Sequence, residues 1–321
     1  MKIHLPNSAH LQNIEGFIRR YNPEDPSILQ VSGNDKYIHV HPFSLALAAC
    51  IGASATENNI PITGAIPNVS SAPYLVRMKL FDHLRTAPPR VIQSHEGAGR
   101  FVPLTQIRTS EDLRGAISDL IPLLHAAPSV ADPIRYVISE LGRNVLEHSN
   151  SPVGGFVCAQ YFRNKKRIAI GMADAGIGIA SAIRRSHSFS TEADAVRLAL
   201  TPGISGATPK IGGNETNAGA GLFFIRSIAK VSGNFFVIYS GSTQYKLLRK
   251  QENLRVLYSN PFFEGHRVVT ELPRWQGTAI GIDITVDESI EFAALLETIR
   301  QSYSIGVKAR RKDYSRKVRF T

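Results

Sequence analysis

The most restrictive feature of the sequence is an apolar strand that runs directly into an aspartate and two spaced glycines. Residues 167–172 read RIAIGM, and Asp174, Gly176 and Gly178 follow at once. A carboxylate at a strand end places an acceptor on a pocket floor, and glycine lets the backbone approach a flat ring closely. The segment therefore predicts a pocket that accepts an amine donor such as that of adenine, although an ordinary aspartate turn has the same pattern.

A helix predicted after Pro133 carries the next polar set. Glu140, Asn144 and His148 are four residues apart and share one helical face, beside an apolar face. An ionised glutamate can deprotonate a water molecule, and an asparagine oxygen is a suitable Mg²⁺ ligand. The same spacing also occurs on the solvated face of an amphipathic helix, and His148 also suits a packing role.

Two glycine motifs follow further along the chain. The long polar stretch 181–217 contains several glycines and ends before Gly219, Gly221 and Leu222, where a helical run begins. Long glycine-bearing loops are often lids, and the N-H groups of a helix N-terminus can face phosphates. Near the C-terminus, Thr278 follows Gly277 and enters a predicted strand, where its hydroxyl can bond the Asp174 carboxylate or the adenine edge.

Several other nucleotide and catalytic motifs are absent from the sequence. No GxxxxGK[ST] occurs, and Phe224 stands where a dinucleotide-binding fingerprint has its third glycine. The sequence contains no HExxH, and Ser205 does not lie in a GxSxG. These patterns disfavour P-loop, Rossmann, zinc-protease and serine-hydrolase interpretations.

In order, the blocks ExxxNxxxH, DxGxG, a long lid, GxGLF and GT before a strand resemble the GHKL superfamily, which includes gyrase, heat-shock chaperones and histidine kinases. The resemblance covers roughly residues 110–286. It implies an α/β sandwich with nucleotide between helix and lid. The implied roles are general base for Glu140, Mg²⁺ ligand for Asn144, adenine acceptor for Asp174, adenine wall for Gly176 and Gly178, phosphate contact for Gly219 and Gly221, and second adenine contact for Thr278. His148 is the last residue of the ExxxNxxxH block, and Leu222 belongs to the GxGLF block.

The N-terminal part predicts a smaller α/β unit. Residues 28–84 alternate strand and helix patterns, with two strands around Asn34 and a buried helix after Pro42. This segment resembles the STAS-like segments found in front of such ATPase domains. A connection rich in proline and glycine follows at 85–101. The predicted organisation is a STAS-like domain at 1–105, an ATP-binding two-layer α/β sandwich at 106–286, and a C-terminal helix with a basic tail at 287–321.

Charge and cysteine content restrict the partners. The net charge of +11 predicts a positive field that attracts phosphates, nucleic acid or acidic proteins, and much of the excess lies at 308–319. Cys50 and Cys158 lie in apolar surroundings and are predicted to be buried thiols. Neither an apolar signal-peptide run nor a membrane span is present, so we expect a cytoplasmic protein without a membrane partner.

Three functions remain open from the sequence. The first is a Mg-ATP-dependent ATPase that acts as a conformational switch on a protein partner or homodimer in a regulatory or defence system. The second is a serine or histidine protein kinase of the anti-sigma-factor type. The third is a non-hydrolysing ATP-binding module whose basic tail binds nucleic acid. Because no pair of long heptad helices precedes the ATP-binding blocks, an ordinary sensor histidine kinase is disfavoured. A fused topoisomerase module would need more chain than follows residue 284.

Overall fold

The computed structural model describes residues 1–88, 101–120, 128–212, 219–249, 254, 256–285 and 292–319. The N-terminal strands are β1 (Lys2–Leu5), β2 (Ser8–Ala9), β3 (Leu29–Gly33), β4 (His39–Val40) and β5 (Ile62–Ala65). The helices of this part are α1 (Glu15–Ile18), α2 (Pro42–Glu57), α3 (Ala72–Arg77) and α4 (Leu80–Leu84).

Parallel pairing organises the N-terminal strands. A three-stranded sheet has the order β1-β3-β5, and β2 pairs with β4. The predicted turn is present, because the Lys36 N-H donates to Asn34 Oδ1 at 3.0 Å. The two strands that flank it, however, enter different sheets. No strand was predicted at residues 2–5. In the structure, β1 pairs with β3 on an edge where a hairpin partner of β3 could otherwise have paired.

A seven-stranded sheet lies at the centre of the remaining chain. Its strands are β6 (Phe101–Ile107), β7 (Gly155–Phe162), β8 (Arg167–Asp174), β9 (Phe236–Gly241), β10 (Thr243–Leu247), β11 (His266–Val269) and β12 (Trp275–Thr285). They have the order β11-β10-β9-β12-β8-β7-β6, and every neighbouring pair is antiparallel. The predicted mixed α/β class is confirmed. The predicted boundary at residue 105 falls within β6.

The later helices are α5 (Ser110–Gly115), α6 (Pro128–Asn144), α7 (Gly178–Arg184), α8 (Glu192–Ala199), α9 (Gly221–Val231) and α10 (Phe292–Arg319). A π-helical turn, Val145–Ser149, continues α6. Thr109 and Asp112 exchange side-chain-to-backbone hydrogen bonds that cap the start of α5. No helix in the described ranges is long and apolar enough to cross a membrane.

Three helical regions differ from a simple reading of the sequence. Helices α3 and α4 are separate, because Lys79 adopts a left-handed conformation with φ 59° between them. The stretch 181–217 was predicted to be a long loop, but α8 occupies part of it and begins with a capping box between Thr191 and Asp194. Residues 213–218 lie outside the described residues. The basic tail at 308–319 continues α10 to Arg319.

The two faces of the seven-stranded sheet carry side chains of different size. In β8, Ile168, Ile170 and Met172 join one core with α6 to α10, whereas Ala173 joins the other core with α2. A side chain at Gly171 would overlap the backbone of Pro42. Because successive side chains of a strand point to opposite faces, small residues on one face let α2 lie directly on the sheet.

Helix α2 makes a third layer beyond the two that the sequence predicted. Phe43, Leu47 and Ile51 are fully or almost fully buried in the core with the sheet. Each such side chain contributes about 1.5–3 kcal/mol relative to an exposed one. The buried thiol of Cys158 in β7 donates to the Pro42 carbonyl at 3.4 Å, and Cys50 is also buried. We call the surface of the sheet that α2 covers the α2 face. The opposite surface, which packs against α6 to α10, is called the cavity face after the cavity described below.

Candidate functional site

Helix α6 carries Glu140 on the cavity face. Its neighbours Val137 and Leu141 are buried in the core, as the apolar spacing predicted. The Glu140 side chain is only 19% exposed, and Oε1 lies 3.3 Å from Arg143 Nη1. Burial raises the pKa of this carboxyl, the charge of Arg143 opposes the rise, and Glu147 adds to it. A carboxylate with a raised pKa beside a cavity has the chemistry of a general base.

One turn further along, Asn144 also faces the cavity. Its Nδ2 is buried and has no hydrogen-bond partner within the described protein. An unpaired buried amide costs about 1–3 kcal/mol, so a partner from a ligand would relieve this cost. Rotating the amide exchanges its nitrogen and oxygen, and the oxygen is a suitable Mg²⁺ ligand. This orphaned amide is the structural observation that fits a metal bound together with phosphate.

His148 lies on the π-helical turn that follows α6. Its Nε2 is 3.8 Å from Glu147 Oε2, and its side chain is about one-third exposed. A π-turn changes the side-chain spacing of an α-helix and often occurs at functional sites. Despite this change in helical spacing, His148 lines the same cavity as Glu140 and Asn144.

Asp174 ends β8 and points to the cavity face. Its carboxyl is almost fully buried, and Oδ1 accepts the Gly176 N-H at 2.8 Å. Burial raises the pKa of Asp174 to about 7, against backbone hydrogen bonds from Gly176 and Thr278 that lower it. In β12, Thr278 is the direct antiparallel partner of Asp174. The register of the two strands thus places Thr278 beside Asp174, and the Thr278 backbone acts on the carboxyl.

The backbone around Asp174 is fixed by residues that sequence reasoning missed. Trp275 Nε1 donates to the Asp174 carbonyl at 3.1 Å, and Gln276 Nε2 donates to the Ala175 carbonyl at 2.8 Å. Ser240 Oγ accepts the Ile179 N-H at 2.9 Å and donates to the Gly277 carbonyl at 2.8 Å. These hydrogen bonds connect segments that are distant in sequence, so no local sequence pattern predicts them.

The glycines after Asp174 have different positions. Gly178 has φ +73°, and a side chain there would overlap the Gln276 carbonyl, so glycine is strongly favoured. It lines the cavity. Gly176 packs against the Ser149 carbonyl and is not among the cavity-lining residues. Gly176 was predicted to form part of the adenine wall. In the structure, its backbone N-H donates to the Asp174 carboxyl.

The second glycine pair lies at the start of α9. Gly219 has φ +64° and abuts the Ile204 carbonyl, and α9 begins at Gly221. A Cβ atom at Gly221 would lie 2.8 Å from Glu140 Oε2. The glycine therefore allows the helix N-terminus and the carboxylate to approach each other. The N-H groups of such a terminus favour an anion beside it.

A cavity of about 740 Å³ connects these groups. All the predicted site residues except Gly176 line it: Glu140, Asn144, His148, Asp174, Gly178, Gly219, Gly221, Leu222 and Thr278. Apolar walls come from Met172, Ile179, Ile183 and Ile280. This volume and mixture of apolar walls with a few polar groups are typical of small-molecule sites.

Sequence reasoning missed the cations of the cavity. Arg143, Arg185 and Arg300 line it. Arg143 lies within the predicted block on α6, three residues after Glu140, so its helical spacing was a readable signal. Arg300 lies on α10, and only the tertiary packing of that helix brings it to the cavity.

The described residues contain no group of three or more His, Cys, Asp or Glu side chains able to hold a metal ion. Any cation here would depend on Asn144 and on oxygens of the ligand. A scan against protein-family models found no matching model, and a search of curated proteins found no match. The family resemblance of the sequence motifs consequently stays a prediction.

Proposed function

We propose that this chain binds Mg-ATP in the cavity and hydrolyses it, acting as a nucleotide-dependent switch of the GHKL type with a STAS-like N-terminal unit. The observation that carries the proposal is the convergence of the separate sequence motifs on one cavity. These motifs come from α6, β8, α9 and β12.

Adenine recognition in this proposal depends on Asp174. The ionised carboxylate accepts the exocyclic amine, and the neighbouring Thr278 offers a hydroxyl to the same edge of the base. The apolar walls from Met172 and Ile280 suit a flat ring. Because Asp174 is buried, a hydrogen bond that the ligand donates to it stabilises the ionised carboxylate.

Hydrolysis in this proposal depends on Glu140. Its carboxylate lies beside the N-terminus of α9, where phosphates are favoured, and it accepts the proton of an attacking water molecule. Asn144 would hold Mg²⁺, which would offset phosphate charge. Removal of a general base typically lowers a rate by roughly 10²–10⁴-fold.

A calorimetric titration with ATP and Mg²⁺, followed by product analysis, tests both roles. We expect Asp174→Ala to lose ATP affinity and Glu140→Gln to retain affinity but lose turnover. Unchanged affinity in Asp174→Ala would refute the site. ATP binding without phosphate release by the wild type would refute the hydrolytic step.

Product analysis also separates hydrolysis from phosphotransfer. Labelled γ-phosphate that appears on a protein rather than as free phosphate would identify the chain as a kinase and replace the ATPase proposal.

A further inference from the structure

Helix α10 packs on the helices that carry the cavity. The Phe292 ring lies 5.9 Å from the Tyr136 ring of α6, and the Tyr303 ring lies 6.0 Å from the Phe223 ring of α9. Ile299 and Val307 on the same helix are also buried. The apolar face of α10 therefore fixes the helix against both walls of the cavity.

Arg300 extends from this helix to the cavity. Its charge acts on Tyr136, since burial and Glu140 raise the pKa of that tyrosine while Arg300 and Arg143 oppose the rise. Tyr136 precedes Glu140 by one helical turn. Tyr136 and Arg300 both line the cavity, and α10 packs on α6 beside Tyr136 and on α9. Arg300 therefore lies on the side of the cavity that α6 and α9 form.

The Arg300 guanidinium keeps the capacity to bind an anion. Its ion pair with Glu297 has an N···O distance of 3.5 Å, and both side chains are more than half exposed. Exposed pairs between neighbouring turns are weak, so a phosphate can compete with Glu297 for the guanidinium. Arginine binds phosphate oxygens through two parallel N-H groups.

The same helix also contacts residues 201–212, which border the cavity. Arg311 Nε donates to the Ile211 carbonyl at 3.1 Å, and Val307 Cγ2 lies 2.9 Å from a Cβ built on Gly203. Arg300, Val307 and Arg311 share one face of the helix by their spacing. The Gly203 N-H donates to the Gly219 carbonyl at 3.3 Å, beside the start of α9.

We infer that Arg300 binds the phosphate groups of the nucleotide and that ligand binding thereby tightens the docking of α10 on residues 201–212. This inference rests on the proposed nucleotide function. It assigns α10 to the ligand site, although the helix lies outside every motif that carries the family resemblance.

Titration of Arg300→Gln with ATP, ADP and adenosine in the presence of Mg²⁺ tests the inference. Loss of a charge-assisted contact predicts roughly 5- to 20-fold weaker ATP binding, with adenosine affinity unchanged because adenosine has no phosphate. Lys308→Gln removes an exposed charge from the same helix and is the matched control, expected to match wild type with both ligands. Glu297→Gln frees the guanidinium and is expected to strengthen ATP binding slightly.

Equal losses for ATP and adenosine in Arg300→Gln would overturn the inference in favour of a structural role, and unchanged ATP affinity would overturn it outright. If wild-type protein binds ATP more tightly than adenosine and Arg300→Gln keeps that difference, only this inference fails. If it binds neither ligand, the proposed function itself fails.

Amide hydrogen exchange of residues 292–312 gives an independent readout. We expect ATP, but not adenosine, to slow exchange in wild type, and we expect Arg300→Gln to abolish the difference. Equal protection by both ligands would contradict a phosphate contact through Arg300.

Discussion

The two faces of the central sheet show how one set of strands supports two different tasks. On the α2 face, Gly171 and Ala173 permit close apolar packing, and the buried Asp283 is paired with His41 and Arg167. On the cavity face, Asp174 has backbone hydrogen bonds but no ion pair within the described residues, and Asn144 Nδ2 has no hydrogen-bond partner there. The buried carboxylate of the α2 face therefore has cations beside it, whereas the cavity face retains buried polar groups that a ligand could pair.

The largest expected effect breaks the α2 face. Gly171→Ala places a Cβ atom against the Pro42 backbone, which cannot yield as a flexible side chain can. We expect a loss of about 3 kcal/mol in the free energy of unfolding, measured by urea denaturation. Gly16→Ala is the matched control, because nothing lies within 4 Å of its Cβ position. Equal stability of the two variants would disprove close contact between α2 and the sheet.

Two buried aspartates on opposite faces give the sharpest contrast. Asp283→Asn weakens the contacts with His41 and Arg167, whose N···O distances are 3.4 and 3.6 Å, and is expected to cost about 2 kcal/mol without changing ATP affinity. Asp174→Asn is expected to do the reverse. ATP affinity falls roughly tenfold or more, while stability is unchanged or higher because a buried charge is removed.

Paired denaturation and calorimetry on both aspartate variants would decide the matter. If both lost stability and neither lost affinity, the division of labour between the faces would be wrong.

The pH dependence of stability changes the free energy of unfolding less per pH unit than either of these substitutions does. With its pKa raised to about 7, Asp174 in the folded protein holds a proton that the unfolded chain releases near its ordinary pKa of 3.8. The unfolded state therefore binds fewer protons between these values, and this group lowers stability as pH rises, by at most about 1.4 kcal/mol per pH unit.

Asp174→Asn removes that dependence. The stability of the variant minus that of wild type should rise from about pH 4 to about pH 7 and then level off. A flat difference over this range in denaturation midpoints would show that the Asp174 carboxyl ionises normally.

The smallest effect concerns the unpaired amide. Asn144→Leu replaces a buried group without a partner by an apolar side chain of similar volume, and we expect a gain of about 1 kcal/mol in stability. The same variant should lose the Mg²⁺ dependence of ATP binding, measured by titration with and without the metal. Destabilisation together with unchanged metal dependence would indicate a structural amide.

Local patterns predicted the elements that depend on neighbouring residues. The face shared by Glu140 and Asn144 and the helix start at Gly221 both follow from spacing of four residues or fewer. Helix α8 was missed although its capping box at Thr191 and Asp194 was readable, because the glycines that follow favoured a loop interpretation.

Long-range pairing was beyond the reach of these patterns. β3 pairs with β1 rather than with the strand after the Asn34 turn, and no local propensity distinguishes the two partners. Arg300 reaches the cavity only because α10 packs on α6 and α9. The alternation of large and small residues in β8 did indicate which face of the sheet α2 covers. Only glycine and alanine on that face leave room for the helix to lie so close to the strand.

The position of β12 has a consequence for the order of folding. This last strand of the sheet lies between β8 and β9, so the earlier strands form two separate halves until it is in place. During synthesis, the ribosome must release the chain beyond residue 285 before β12 can join the halves. Such late, distant pairing predicts slow folding and an unfinished intermediate whose two open strand edges favour aggregation.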